Sequence, residues 1–128
     1  MQIGLIGLGK MGFNLALNLK RNGYEVVAYD VNQTTLQAIQ AQGIKTATSL
    51  ENLVNKLNTK RIIWMMIPAG DLVDKTIQEL KPLLSVSDIL IDGGNSFYKD
   101  SVRRAKELEA LQVSYKALVA KIREHGLD

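Results

Sequence analysis

The sequence predicts an α/β fold: a doubly wound parallel sheet with helices on both faces. Three observations carry this expectation. Short apolar runs alternate with segments of helical period along the 128 residues, the pattern of repeated β-α-β units. The unusual residues (clustered glycines, an isolated Asp, a Pro-Ala-Gly, a Gly-Gly-Asn) fall just after those apolar runs. The length suits one core and does not allow two.

The elements follow in order. Gln2–Ile6 is apolar and bounded by glycine, so it reads as a buried strand. Met11–Arg21 carries Phe13, Ala16, Leu17 and Leu19 as a helical stripe and stops at Asn22-Gly23. Glu25–Tyr29 reads as the second strand. Asn32 can cap a helix to about Ala41 with Leu36 and Ile39 inward, and Gly43 stops it. Lys45–Ala47 is a weak third strand, and Ser49 can cap a helix through about Leu57. Arg61–Ile67 is a strongly apolar strand whose Trp64, Met65 and Met66 read as core. Asp71 is expected to cap a helix that Pro82 helps to end. Ile89–Asp92 forms a fifth strand, and Asn95 or Ser96 opens another helix. Right-handed crossovers wind such units into one sheet, with ligands beyond the carboxyl ends of the strands.

Composition narrows the functional classes. Hydrophobic residues make up 46% and charged residues 23%, which places the chain among ordinary globular domains rather than disordered ones. The net charge is only +3, with Lys and Arg dispersed, which argues against nucleic acid as a partner. The absence of cysteine removes disulfides and thiolate metal sites and fits the cytoplasm. The N-terminal apolar stretch is too short and glycine-rich for a signal or membrane segment. No metal-ligand cluster stands out, and the single histidine, His125, has no nucleophile or carboxylate constellation around it.

The chemistry-bearing motif is "GLGKMG". Gly7, Gly9 and Gly12 stand in G-x-G-x-x-G spacing, after a strand and at the start of a helix. Gly7 allows the tight turn, Gly9 lets a pyrophosphate approach the backbone, and Gly12 lets helix and strand pack closely. The helix start then offers N–H groups and partial positive charge to phosphate. This is the mark of a Rossmann-type dinucleotide-binding domain. Asp30 follows 18 residues after Gly12, at the end of the second strand. Its carboxylate can accept both ribose hydroxyls and repels a 2′-phosphate; two unit charges about 4 Å apart cost roughly 1–4 kcal/mol. Neither Val31 nor Asn32 supplies a guanidinium. The reading is therefore NAD rather than NADP. Pro68-Ala69-Gly70 can lie along the dinucleotide, with Val73 near the adenine. Asn95 offers an amide donor and acceptor suited to a carboxamide or a sugar hydroxyl, or it caps the next helix. Arg103 and Arg104 read as solvated or near phosphate rather than catalytic.

Together "GLIGLGKMGFNLALNL", "YDVN", "MIPAG" with the following Val73-Asp74, and "IDGGNS" with Tyr98, Asp100 and Arg103-Arg104 resemble the coenzyme domain of 6-phosphogluconate dehydrogenase. More broadly they resemble the β-hydroxyacid dehydrogenase superfamily. The resemblance covers about residues 1–111, leaving 112–128 divergent within a single dinucleotide-binding domain. It implies oxidative decarboxylation of 6-phosphogluconate to ribulose 5-phosphate. It also implies a pyrophosphate loop of Gly7, Leu8, Gly9, Lys10, Met11 and Gly12, with Asp30 on the ribose. Ala69, Gly70 and Val73 would lie by the adenosine, and Asn95 where nicotinamide and substrate meet. The family's Ser-Gly-Gly segment and its Lys-x-x-His-Asn-Gly stretch are absent from these 128 residues. The chain alone is thus expected to bind a dinucleotide without turnover, and no catalytic residue is assigned. A stand-alone dinucleotide-binding or assembly module, or the coenzyme domain of another β-hydroxyacid dehydrogenase, are the competing readings. Val113-Ser114-Tyr115 fits a sixth strand, while Leu108, Leu111, Tyr115, Leu118 and Ile122 fit one helix from Lys99 to near Gly126. The helical alternative exposes an apolar stripe and favours a homodimer through the tail.

Overall fold

A computed structural model describes residues 1–94 and 98–117. Among these residues six strands and five α-helices alternate: β1 (Gln2–Ile6), α1 (Lys10–Arg21), β2 (Glu25–Tyr29), α2 (Gln33–Ala41), β3 (Lys45–Thr46), α3 (Leu50–Asn55), β4 (Ile62–Met65), α4 (Asp71–Leu80), β5 (Ile89–Asp92), α5 (Tyr98–Glu109) and β6 (Ser114–Ala117). They form one sheet in the order β3-β2-β1-β4-β5-β6, with every pairing parallel. The doubly wound expectation is met. The chain starts in the middle of the sheet, winds outward through β2 and β3, then returns to β4 beside β1 and winds the other way.

Apolar packing covers both faces of the one sheet. On one face Leu5, Val26 and Ala28 pack with Ala16 of α1 and Leu36 and Ile39 of α2. On the other, Ile6, Val27, Ile63, Met65 and Leu90 pack with Leu53 of α3, Val73 and Ile77 of α4, and Leu108 of α5. Because both faces are covered, the strands read as continuous apolar runs rather than alternating ones. A fully buried Leu or Ile such as Leu5, Ile63 or Leu90 contributes about 1.5–3 kcal/mol.

Most helix ends follow the capping chemistry legible in the sequence. Asn32 accepts from the Thr35 amide and Ser49 from the Asn52 amide. Asn22 closes α1, and Gly23 and Gly43 take the positive φ of helix exits. Helix α4 corrects the expectation for Asp71: its N-cap is Gly70 at φ +105°, and Asp71 is the first helical residue. Only glycine turns that corner at little cost. Pro82 lies in a short 3₁₀ turn, Lys81–Leu83, that follows α4. At the C-terminal side, α5 ends at Glu109 and β6 pairs with β5 from Ile89↔Ser114 to Asp92↔Ala117. The strand alternative therefore holds for the described residues, and Tyr115 belongs to the sheet. Leu118, Ile122 and His125 lie outside them, as do Asn95 and Ser96.

Candidate functional site

Strands β1 and β4 are neighbours whose following helices go to opposite faces. Their crossovers part there, and a crevice opens at the carboxyl end of the sheet. A cleft of about 620 Å³ occupies it, lined by the Gly7–Gly12 turn, Asp30, Val31, Met66–Ala69, Leu72, Gly93 and Gly94. A second hollow of about 240 Å³ shares Gly7, Asp30, Val31, Ile67 and Leu72 with it and continues toward Tyr29, Leu50 and Thr76. One elongated groove thus runs from the glycine turn down the side of α4. Its rim carries exposed apolar residues, Met11 (71%) and Val31 (85%), which suits a ligand with flat rings at intervals.

The three glycines of the turn have separable roles. A Cβ on Gly7 would stand 2.5 Å from the Met66 carbonyl oxygen, at a residue already at φ +99°. A Cβ on Gly12 would stand 2.1 Å from the Gly7 carbonyl oxygen. These two glycines are demanded by the fold itself. Gly9 differs: it has ordinary backbone angles (φ −64°, ψ −176°), and a Cβ there would meet nothing within 4 Å. Nothing in the folded chain asks for glycine at position 9, so the open space above it is a cradle that a side chain would fill. The first turn of α1, which begins there, has no side-chain cap and no acidic residue, leaving its amide donors toward the cleft for an anion. Lys10 and Met11 are exposed at this turn, whereas Leu8 is buried in the core and does not line the cleft.

Asp30 is built into this turn. One carboxylate oxygen accepts the Leu8 amide at 2.7 Å and the other accepts the Asn32 amide at 2.8 Å. Each oxygen keeps a second lone pair, so the group can still accept hydroxyls from the cleft side. The sequence did not reveal the contact with Leu8, which joins residues 22 apart.

The opposite wall departs from expectation at two residues. Val73 is fully buried; together with Ile77 and Leu80 it forms the inner stripe of α4, and Leu72, Lys75, Thr76 and Glu79 face the groove instead. The phase of the helix, readable from the i, i+4, i+7 spacing of Val73, Ile77 and Leu80, decides this. Met66 is only partly buried and lines the cleft, as does Ile67, because β4 ends at Met65. Ala69 lies in the cleft wall, while Gly70 turns the chain into α4. Gly93 and Gly94 line the far end, and a Cβ on either would collide, with Met66 and Trp64 or with the Ile67 carbonyl. Asn95 lies outside the described residues.

Behind this wall is a buried charge network. The Arg104 side chain is 1% exposed, a correction to its reading as solvated. Its Nε donates to Asp74 at 2.8 Å and its Nη2 to Asp74 and to the Gly70 carbonyl at 3.2 Å. Its Nη1 lies 3.8 Å from Asp92. The Tyr115 hydroxyl donates to Asp92 at 2.7 Å, and burial together with that bond raises the phenol's pKa. Arg103 is half exposed and pairs with Asp74 at 3.1 Å. Hydrogen bonds from Arg104, joined by those from Arg103, hold the Asp74 carboxyl down to about 2 although burial opposes them. An unfolded Asp titrates near pH 3.9, so Asp74's contribution to stability is complete above about pH 4. It is lost as pH falls through about 2. In thermal melts, wild type is expected to lose more stability than Asp74→Asn across that acid window; parallel curves would remove Asp74 as the cause.

Among the described residues no group of His, Asp or Glu could hold a metal ion, and no helix is long and apolar enough to cross a membrane. Comparison with known proteins decides the family. Residues 2–117 match the model of the NAD binding domain of 6-phosphogluconate dehydrogenase. The chain belongs to this family. The match runs past Leu111 and includes β6. The chain is 42% identical to the decarboxylating 6-phosphogluconate dehydrogenase of Synechococcus elongatus, covering 98% of this chain and 28% of that protein. It is 43% identical to the NAD(+)-dependent enzyme of Haloferax volcanii, over 86% of this chain and 37% of that one. It is 46% identical to the NADP(+)-dependent enzyme of Bacillus subtilis, over 84% and 24%. Among solved structures, Plasmodium falciparum 6-phosphogluconate dehydrogenase superposes with a TM-score of 0.84 at 32% identity, over 90% of this chain and 26% of that one. Mycobacterium tuberculosis 3-hydroxyisobutyrate dehydrogenase shares the fold, with a TM-score of 0.80 at 21% identity. The chain thus spans roughly a quarter to two-fifths of the length of these relatives and is an NAD(P)-binding domain of the 6-phosphogluconate dehydrogenase family.

Proposed function

We propose that this chain binds NAD in preference to NADP, as the coenzyme-binding part of an enzyme that oxidatively decarboxylates 6-phosphogluconate to ribulose 5-phosphate. The empty space over Gly9, beside an uncapped helix start, carries the dinucleotide reading. The pyrophosphate lies against the amides of the Gly7–Gly12 turn. The adenosine ribose is held by Asp30, and the adenine runs into the hollow beside Val31 and Leu72, past Ala69. The nicotinamide points toward Gly93 and Gly94. NAD, when bound, supplies the hydride acceptor; this chain's residues bind and orient it. Named relatives include both NAD(+)- and NADP(+)-dependent enzymes, so the preference rests on residue 30.

Titration of NADH and NADPH, followed by nicotinamide fluorescence, tests this reading. NADH is expected to bind about fivefold or more tightly, in line with the roughly 1–4 kcal/mol of repulsion between Asp30 and a 2′-phosphate. Asp30→Asn removes the charge while keeping an acceptor, and should bring the two affinities together. Equal affinities in wild type would refute the NAD preference; binding of neither would refute the dinucleotide reading.

A further inference from the structure

The groove has two walls opposite the glycine turn: the segment from Met66 to Gly70 after β4, and Gly93-Gly94 after β5. The helix start at Gly70 has no side-chain cap, and glycines confer little stiffness. Both walls are nevertheless tied to one buried group. The Arg104 guanidinium donates to the Gly70 carbonyl and, through a two-bonded contact, to Asp74 in the first turn of α4. Its other edge faces Asp92 at 3.8 Å, and the second oxygen of Asp92 accepts the Gly94 amide at 2.9 Å. The Tyr115 hydroxyl of β6 donates to the same Asp92 oxygen that Arg104 faces.

Resting on the dinucleotide reading above, we propose that Arg104 is a positioning residue for the cofactor: a brace that sets the gap between the two walls without touching the ligand. A planar fork can serve Asp74, Gly70 and Asp92 in different directions at once. An ammonium on a flexible stem presents a single point charge and cannot hold the same geometry. A brace that sets spacing predicts a particular failure. Loss of the fork loosens both loops and weakens dinucleotide binding, even where the charge and the fold survive.

Arg104→Lys tests this against Arg61→Lys. Arg61 makes a comparable pair with fully buried Asp88, reaching Ser85 and the Val54 carbonyl, beneath the amino ends of β4 and β5 and away from the groove. Both variants should lower Tm. At a temperature where both are folded by circular dichroism, Arg104→Lys should weaken NADH binding about tenfold, and Arg61→Lys should leave it unchanged. In the ligand-free chain, the Gly94 and Val73 amides should exchange faster with deuterium in Arg104→Lys only. Wild-type affinity in a folded Arg104→Lys, or equal losses in the two variants, overturns the brace. If Arg104→Lys does not fold, Asp74→Asn decides: weakened NADH binding by a folded variant supports the proposal, and unchanged binding refutes it. A wild-type chain that binds neither dinucleotide refutes the cofactor reading instead, and the exchange rates still decide whether Arg104 braces the loops.

Discussion

Gly9→Val is expected to weaken dinucleotide binding about tenfold or more while leaving the domain folded. The added side chain meets no protein atom within 4 Å of its Cβ, and residue 9 already has angles open to any residue. The stability cost is therefore confined to a poorer N-cap, about 1 kcal/mol. The same side chain occupies the space that a pyrophosphate needs in order to reach the amides of α1. Losing one or two charge-assisted hydrogen bonds, about 1.5–3 kcal/mol each, weakens binding by about tenfold to about ten-thousandfold. Thermal melting and NADH titration of the same sample separate the two effects. Retained affinity would mean that the diphosphate does not sit over this turn.

Gly12→Ala is expected to do the reverse and damage the fold. Its new methyl would lie 2.1 Å from the Gly7 carbonyl oxygen and 3.3 Å from Met66 Cβ. The first contact is with backbone, which cannot rotate away. Either α1 lifts off β1 or the turn at Gly7 opens. Overpacking of this kind costs typically 1–3 kcal/mol and occasionally more. For a chain of this size that is a fall in Tm of about 4–12 °C. Denaturant unfolding should show a lower midpoint at similar slope. A variant as stable as wild type would show that the helix does not pack as closely as the contact implies. The contrast between positions 9 and 12 is the sharper result: one glycine serves a ligand and the other serves the fold, three residues apart.

Much of the scaffold could be read from the chain because its signals are local. β1, β2 and β5 fall at the expected residues, since apolar runs there are cut off by glycine or polar turns. The caps at Asn32 and Ser49 depend on side chains within three residues of the amides they serve. Asp71 failed as a cap because Gly70, at positive φ, turns the chain one residue earlier and takes the N-cap place. Val73 was placed on the wrong side because motif spacing gives a residue's position along a helix and not its phase about the axis. The burial of Arg104 could not be read at all. An arginine on a polar helix looks solvated until Asp74, 30 residues earlier, and Asp92 are brought against it by the sheet. The same holds for Asp30, whose place after β2 was legible and whose grip on Leu8 was not.

That grip has a consequence for any attempt to exchange one nicotinamide coenzyme for the other. The group that would turn away a phosphorylated ribose is also a stitch holding the first loop of the chain to the second strand. Trading it for a small apolar residue would strip the Leu8 amide of its acceptor at the same stroke, so recognition and architecture cannot be edited separately here. A successful swap must put another oxygen where the carboxylate was before it adds a cation for the phosphate.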